Sequence, residues 1–272
     1  MQLTVNGATT YCYTGGKAFD AAKPTVVFIH GVLNDHSVWI LQSRYLANHG
    51  WNVLAVDLPG HCRSGGEAPQ TVEQAADFVA ALLDAAGVQR AALVGHSWGS
   101  LIALEAAARL KDRVSHLVLV GIAFPMKVSQ ALLDASLNEP EKALAMINVY
   151  SRSTLAAPPS ALGPGTWVYG ASLALGRRVL ASNKSVNLFH RGFQACDSYA
   201  HGEQAVTQLS CPVLFLLGAQ DQMTNPKAAQ GLITAAREGG KQVQVHQLPV
   251  GHHQMTETPE ETLFAIRDFL AR

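Results

Sequence analysis

The sequence predicts an α/β fold: a mostly parallel central sheet with helices on both faces and a helical insertion in its second half. Three observations point there. Short, continuous, β-branched runs recur along the chain, as in strands buried on both faces. Stretches of helical period separate most of them. Strands alternating with helices in this way build a parallel, doubly covered sheet. With 272 residues, 48% of them hydrophobic, the chain can fill one large core of this kind.

The elements follow in order. Residues 2–13 read as a hairpin, because Leu3 and Val5 alternate with polar residues and Asn6-Gly7 is a strong type I′ turn signal. Strand candidates then lie at 25–30 (TVVFIH), 52–56 (NVLAV), 91–95 (AALVG), 116–121 (HLVLVG), 211–218 (CPVLFLLG) and 242–248 (QVQVHQL). Residues 71–86 carry Val72, Ala75, Ala76, Val79, Leu82 and Leu83 at helical spacing. Thr71 and Gln74 form a capping box at the start, and Gly87 lies just past the end. The run after Ser97, WGSLIALEAAARL, is helical by composition. Asn225-Pro226 and Thr258-Pro259 start two more helices, with Glu261 completing a second capping box. Between about 124 and 200 helical patterns continue without a strand candidate, punctuated by Pro158-Pro159 and Gly163-Pro164-Gly165. The expected organisation is therefore a core formed by 1–123 and 201–272, with a helical insertion at 124–200.

Composition excludes several function classes. Lys+Arg and Asp+Glu balance at 20 each, so no long-range field draws nucleic acid or an anionic membrane. The N-terminus lacks the basic start and apolar stretch of a signal peptide. No apolar run reaches the roughly 18 residues of a membrane helix. Cys12, Cys62, Cys196 and Cys211 are scattered, without a zinc or disulfide spacing. Reduced thiols in a cytoplasmic protein are expected. Neither a G-x-x-x-x-G-K-[ST] loop nor a G-x-G-x-x-G turn after the first strand is present. No cofactor and no metal is expected, and the expected partner is a small molecule. Oligomeric state is not encoded in any visible feature.

The chemistry concentrates at three strand ends. Gly95-His96-Ser97-Trp98-Gly99 fits G-x-S-x-G, with a strand before it and a helix after it. A serine at so sharp a turn needs small residues two before and two after it. The helix N-terminus then offers N–H groups to a developing oxyanion. Asp221, in GAQD after the fifth core strand, is the candidate acid. The competing position after HLVLVG holds Ile122 and Ala123. The candidate base is His252 or His253, after the last strand. His30-Gly31-Val32-Leu33 follows the first core strand, so the backbone N–H groups of Val32 and Trp98 are the candidate oxyanion donors. Leu33, Phe124, Trp167, Trp98 and Phe189 are candidates to line a substrate pocket, with His253 beside them.

At these residues the chain resembles the α/β-hydrolase superfamily over nearly its whole length. HGVLNDHSVW, ending at Trp39, looks like the H-G-x(7)-W signature of the epoxide hydrolase, dehalogenase and esterase branch. DLPGHCRS resembles its D-x-x-G-x-G-x-S turn, with Cys62 where glycine is usual. GHHQMTETP matches G-H-x(4)-E-x-P, which selects His252 as the base. The resemblance implies an α/β-hydrolase fold, a Ser97–His252–Asp221 triad, and a lid formed by 124–200. A serine nucleophile argues against epoxide hydrolase or haloalkane dehalogenase chemistry, which needs a carboxylate there. The H-G-G-P-G loop of proline iminopeptidases is absent, as is the glycine/proline-rich loop of carbon–carbon bond hydrolases. The expected activity is hydrolysis of small carboxylic esters. A non-catalytic ligand receptor, a cofactor-free perhydrolase or haloperoxidase, and a carbon–carbon bond hydrolase are the alternatives.

Overall fold

The structure, a computed structural model, describes residues 1–20, 22–153 and 168–272. Eight strands form one sheet: β1 (Gln2–Val5), β2 (Ala8–Tyr13), β3 (Thr25–Ile29), β4 (Asn52–Val56), β5 (Ala91–His96), β6 (Val114–Val120), β7 (Val213–Gly218) and β8 (Val243–Leu248). Their spatial order is β1-β2-β4-β3-β5-β6-β7-β8. The hairpin β1–β2 is antiparallel and pairs antiparallel to β4; every later pairing is parallel. Asn6 and Gly7 turn the hairpin with positive φ (49° and 78°), as a type I′ turn requires.

The helices are α1 (Ile40–Asn48), α2 (Val72–Ala85), α3 (Trp98–Leu110), α4 (Gln130–Asn138), α5 (Pro140–Tyr150), α6 (Val168–Ser182), α7 (Leu188–Ser198), α8 (Gly202–Thr207), α9 (Gln230–Glu238), α10 (Gln254–Glu257) and α11 (Pro259–Leu270). The period-2 alternation of the strands sorts the core into two layers. Val27 and Ile29 of β3 point to the α2 and α3 face, while Val26 and Phe28 point to the α1 and α11 face. Leu54 and Val56 against Val53 and Ala55 repeat the pattern in β4. Each such side chain, fully removed from water, contributes about 1.5–3 kcal/mol. A third apolar cluster, including Leu144, Val179, Phe189 and Phe193, holds the helices of the 124–200 segment together.

Three expectations need correction. β8 is an edge strand paired only with β7, so Val245, His246 and Gln247 are exposed rather than covered on both faces. Its polar alternation reflects that position. At α2 Thr71 accepts from Gln74 N–H as expected, but the Gln74 side chain reaches back to Gln70 N–H rather than to Thr71. At α11 no capping box forms: the Thr258 hydroxyl donates to the Glu261 carboxylate instead of accepting a backbone N–H. Among the described residues, no helix is long and apolar enough to cross a membrane.

Candidate active site

The three chemistry-bearing loops meet where the strand order changes direction. β3 is flanked by β4 on one side and β5 on the other, so the loops after β3 and β5 open a crevice at their carboxyl ends. Ser97 sits in the second of these loops with φ 54° and ψ −120°, between β5 and α3. Its N–H donates to Val120 O at 2.9 Å, which ties the turn to β6. The two glycines of the motif have steric reasons. A Cβ on Gly95 would overlap the Gly99 backbone, and one on Gly99 would overlap the Ile29 and His30 carbonyls. Gly31 is tight but less crowded: its Cβ would stand 3.1 Å from Ser97 Cβ. The Gly31-Val32 turn is therefore pressed against the serine.

His252 follows β8, and Asp221 follows β7. His252 Nδ1 lies 2.8 Å from Asp221 Oδ2, with both side chains buried. The other carboxylate oxygen, Asp221 Oδ1, accepts from Met223 N–H at 2.9 Å and Thr224 N–H at 2.8 Å. The Thr224 hydroxyl lies 2.7 Å from Asp221 Oδ2, 2.9 Å from Gly121 O and 3.0 Å from His252 Nδ1. Burial pushes the Asp221 carboxyl up. The His252 charge and hydrogen bond, with those from Thr224, outweigh it and hold the carboxyl below its usual range.

The histidine loop is fixed from three sides. His96 Nε2 donates to His252 O at 2.8 Å, and His252 N–H donates to Ser151 O at 2.8 Å. The buried Glu257 carboxylate accepts from Gly251, His253 and Ser153 N–H at 3.3, 3.3 and 3.0 Å. Gly251 is required because residues 151–153 cross directly over it. Burial, followed by the His252 charge, lowers His96 to about 3, so it stays neutral. Burial and then the Arg152 charge hold His253 well below its usual value.

Ser97 and His252 line one cavity of about 330 Å³. Leu33 and His253 line it as well, as expected from the sequence. A second cavity, about 260 Å³, also reaches Ser97 and is walled by Met126, Val128, Leu132, Met146 and Phe193. The structure does not bring every candidate to the site. Phe124 packs on Tyr199, with ring centroids 5.9 Å apart, and against Gly202; it lines neither cavity. The Trp98 ring is buried beside His61, and Phe189 is buried against Phe193. Trp167 lies outside the described residues. Sequence reasoning missed Thr224, Glu257 as a loop anchor, and Arg152. The three-residue step from Asp221 to Thr224 was a readable turn signal, since aspartate bonds its own backbone two or three residues on. Nothing local marks Arg152.

Outside this crevice, Asp35, His36 and Asp57 cluster within 4.8 Å. His36 Nδ1 donates to Asp57 at 2.8 Å and Arg178 pairs with Asp35 at 2.7 Å, so both carboxylates already have partners.

Comparison with known proteins agrees with this architecture. Over 112 residues the chain is 39% identical to the dihydrolipoyllysine-residue acetyltransferase component of the acetoin cleaving system of Cupriavidus necator, covering 41% of this chain and 28% of that protein. Over 118 residues it is 36% identical to a lipase of Mycobacterium tuberculosis, covering 43% of this chain and 44% of that one. The chain thus spans less than half the length of these relatives. The crystal structure of an enol-lactonase from Burkholderia xenovorans superposes with a TM-score of 0.81 at 22% identity, covering all of both chains. The sequence profile of the alpha/beta hydrolase fold matches residues 24–255. The chain belongs to the α/β-hydrolase fold family.

Proposed function

We propose that the protein is a serine hydrolase that cleaves carboxylic esters of small molecules through an acyl-enzyme. The observation that carries this reading is the His252–Asp221 hydrogen bond, set in the same cavity as a serine on a strained strand-to-helix turn. Asp221 is ionised and fixes the tautomer of His252 with Nδ1 protonated, which leaves Nε2 as the base. His252 takes the Ser97 proton as Oγ attacks the ester carbonyl. The oxyanion is held by Val32 and Trp98 N–H. Two observations support these donors: Trp98 opens α3, where an N–H has no partner within the helix, and Gly31 is pressed against Ser97. His252 then protonates the leaving alcohol, and a water activated by the same imidazole releases the acid. No metal or cofactor takes part.

The 124–200 segment acts as a lid in this reading. Support comes from Leu144, Ile147, Leu175 and Phe193, which it contributes to the cavity wall. The lipase and enol-lactonase relatives, both named for acyl-oxygen bond cleavage, favour an ester or lactone substrate. Hydrolysis of p-nitrophenyl butyrate tests the assignment. Wild type should turn it over, and Ser97→Ala should lower kcat by at least about 10⁴-fold with the fold intact. A variant that kept most of its activity would remove Ser97 from the mechanism.

A further inference from the structure

Arg152 is a guanidinium without an ionic partner in the wall of the catalytic cavity. It is only 5% exposed, and it lines the same cavity as Ser97 and His252. Of its five N–H donors, two are bonded: Nη1 to Thr256 Oγ1 at 3.2 Å and Nη2 to Ser172 Oγ at 2.6 Å. Nε is buried with no partner. Among the described residues no carboxylate lies within 4 Å of it, and residues 154–167 contain no acidic side chain. Glu257 is the nearby carboxylate, but its oxygens accept the three backbone N–H groups of the histidine loop. A buried cation whose only bonded neighbours are neutral hydroxyls is costly. A strut between α6 and the histidine loop would need no charge. The position is also fixed: Ser151 O holds His252 N–H on one side of Arg152, and Ser153 N–H is held by Glu257 on the other.

We infer that Arg152 binds the carboxylate of an acidic substrate, so that the ester cleaved at Ser97 is a half-ester of a dicarboxylic acid or a lactone bearing a free carboxylate. The inference rests on the hydrolase reading and narrows its substrate class. A planar guanidinium that lines the cavity with donors still unbonded matches the two oxygens of a carboxylate. Arg178 lines the same cavity but is already paired with Asp35 at 2.7 Å, and His253 is held neutral, so Arg152 is the cavity's one uncompensated charge among the described residues and suits a monoanion. The second cavity, which also reaches Ser97, is lined largely by methionine, leucine, valine and phenylalanine, with Lys127 already paired to Asp197, and would take the uncharged part of the substrate.

The test compares the monoethyl and diethyl esters of succinate, glutarate and adipate in wild type and Arg152→Gln, by pH-stat kinetics and by calorimetric binding to the same proteins. Wild type should favour the acid half-ester of the best length by about ten- to a hundredfold in kcat/KM, carried mainly by KM. Arg152→Gln should collapse that ratio. Wild type that hydrolyses both esters without preferring the acid overturns the inference and leaves the hydrolase intact. So does an Arg152→Gln enzyme that loses rate on both esters equally, which is the behaviour of a structural strut. If wild type hydrolyses neither these esters nor p-nitrophenyl butyrate, the hydrolase reading fails, and binding decides: half-ester binding that Arg152→Gln abolishes supports carboxylate recognition, and equal binding of both esters overturns it. Turnover of p-nitrophenyl butyrate alone overturns the inference and leaves the hydrolase intact.

Discussion

At Ser97 the backbone takes a positive φ that a non-glycine residue adopts only under constraint from its surroundings. The constraint is visible in Gly95 and Gly99, each of which lets another backbone approach too closely for a Cβ, and in Gly31, which is tight against His96 and Ser97. The same economy of space holds Asp221. Four donors converge on its carboxylate: two backbone N–H groups on Oδ1, and His252 and the Thr224 hydroxyl on Oδ2. Asp221→Asn keeps the shape but offers an N–H where His252 needs an acceptor. It should lower kcat by about 10⁴-fold with little change in KM. Thr224→Val removes the hydroxyl that contacts Asp221, Gly121 O and His252, and should cost about tenfold. Steady-state kinetics on both variants separates the roles. Equal losses would mean that Thr224 fixes the imidazole as much as Asp221 does.

At the scale of the element, the turn after β4 holds a side-chain-bearing residue in a conformation that glycine favours. Cys62 stands where glycine is usual, and its φ is 46°, the left-handed region that glycine favours. Holding a non-glycine residue there costs a strain of about 1 kcal/mol. Cys62 N–H donates to Ser182 Oγ at 3.0 Å, so this turn also anchors the end of α6. Cys62→Val should be less stable than Cys62→Gly by about 2 kcal/mol, because a β-branched residue fits that region worst. Urea unfolding of the two variants measures this. Equal stabilities would contradict the strained turn. The thiol itself is pushed up to about 12, first by burial and then by Asp35 and Asp57, so it is not a nucleophile.

Across the whole molecule, most of the sheet was legible in the sequence because its strands are buried and short. The runs at 25–30, 52–56 and 91–95 match β3, β4 and β5 to within a residue. The residues that the proposed mechanism uses could be picked out where they sit at strand ends, as at Ser97, Asp221 and His252. It was hidden where packing across the chain decides, as at Phe124, which turns away toward Tyr199. Arg152 was hidden too, since it reaches the cavity only because residues 151–153 cross the histidine loop. Stability has a global signature as well. His61 and His96 are both lowered to about 3, by burial first, and each is neutral in the fold but protonates near 6.5 when unfolded. Below that pH the unfolded chain binds protons that the native one does not, so stability falls with acidification. Each group contributes about 1.4 kcal/mol per pH unit until its folded pKa is reached. Below about pH 4, protonation of Asp57 and Asp221, both held low in the fold, adds to the loss. Unfolding measured at pH 7.5 and pH 5 should therefore show a clear loss at the lower pH. Equal stability at the two would mean that these imidazoles are not buried neutral.

The central claim is that Ser97 is an activated nucleophile. A fluorophosphonate probe, with intact mass as the readout, tests it directly on wild type and Ser97→Ala. A single adduct on wild type that is absent from the variant is the predicted result. An unlabelled, well-folded wild type, or an adduct that survives in Ser97→Ala, would contradict it.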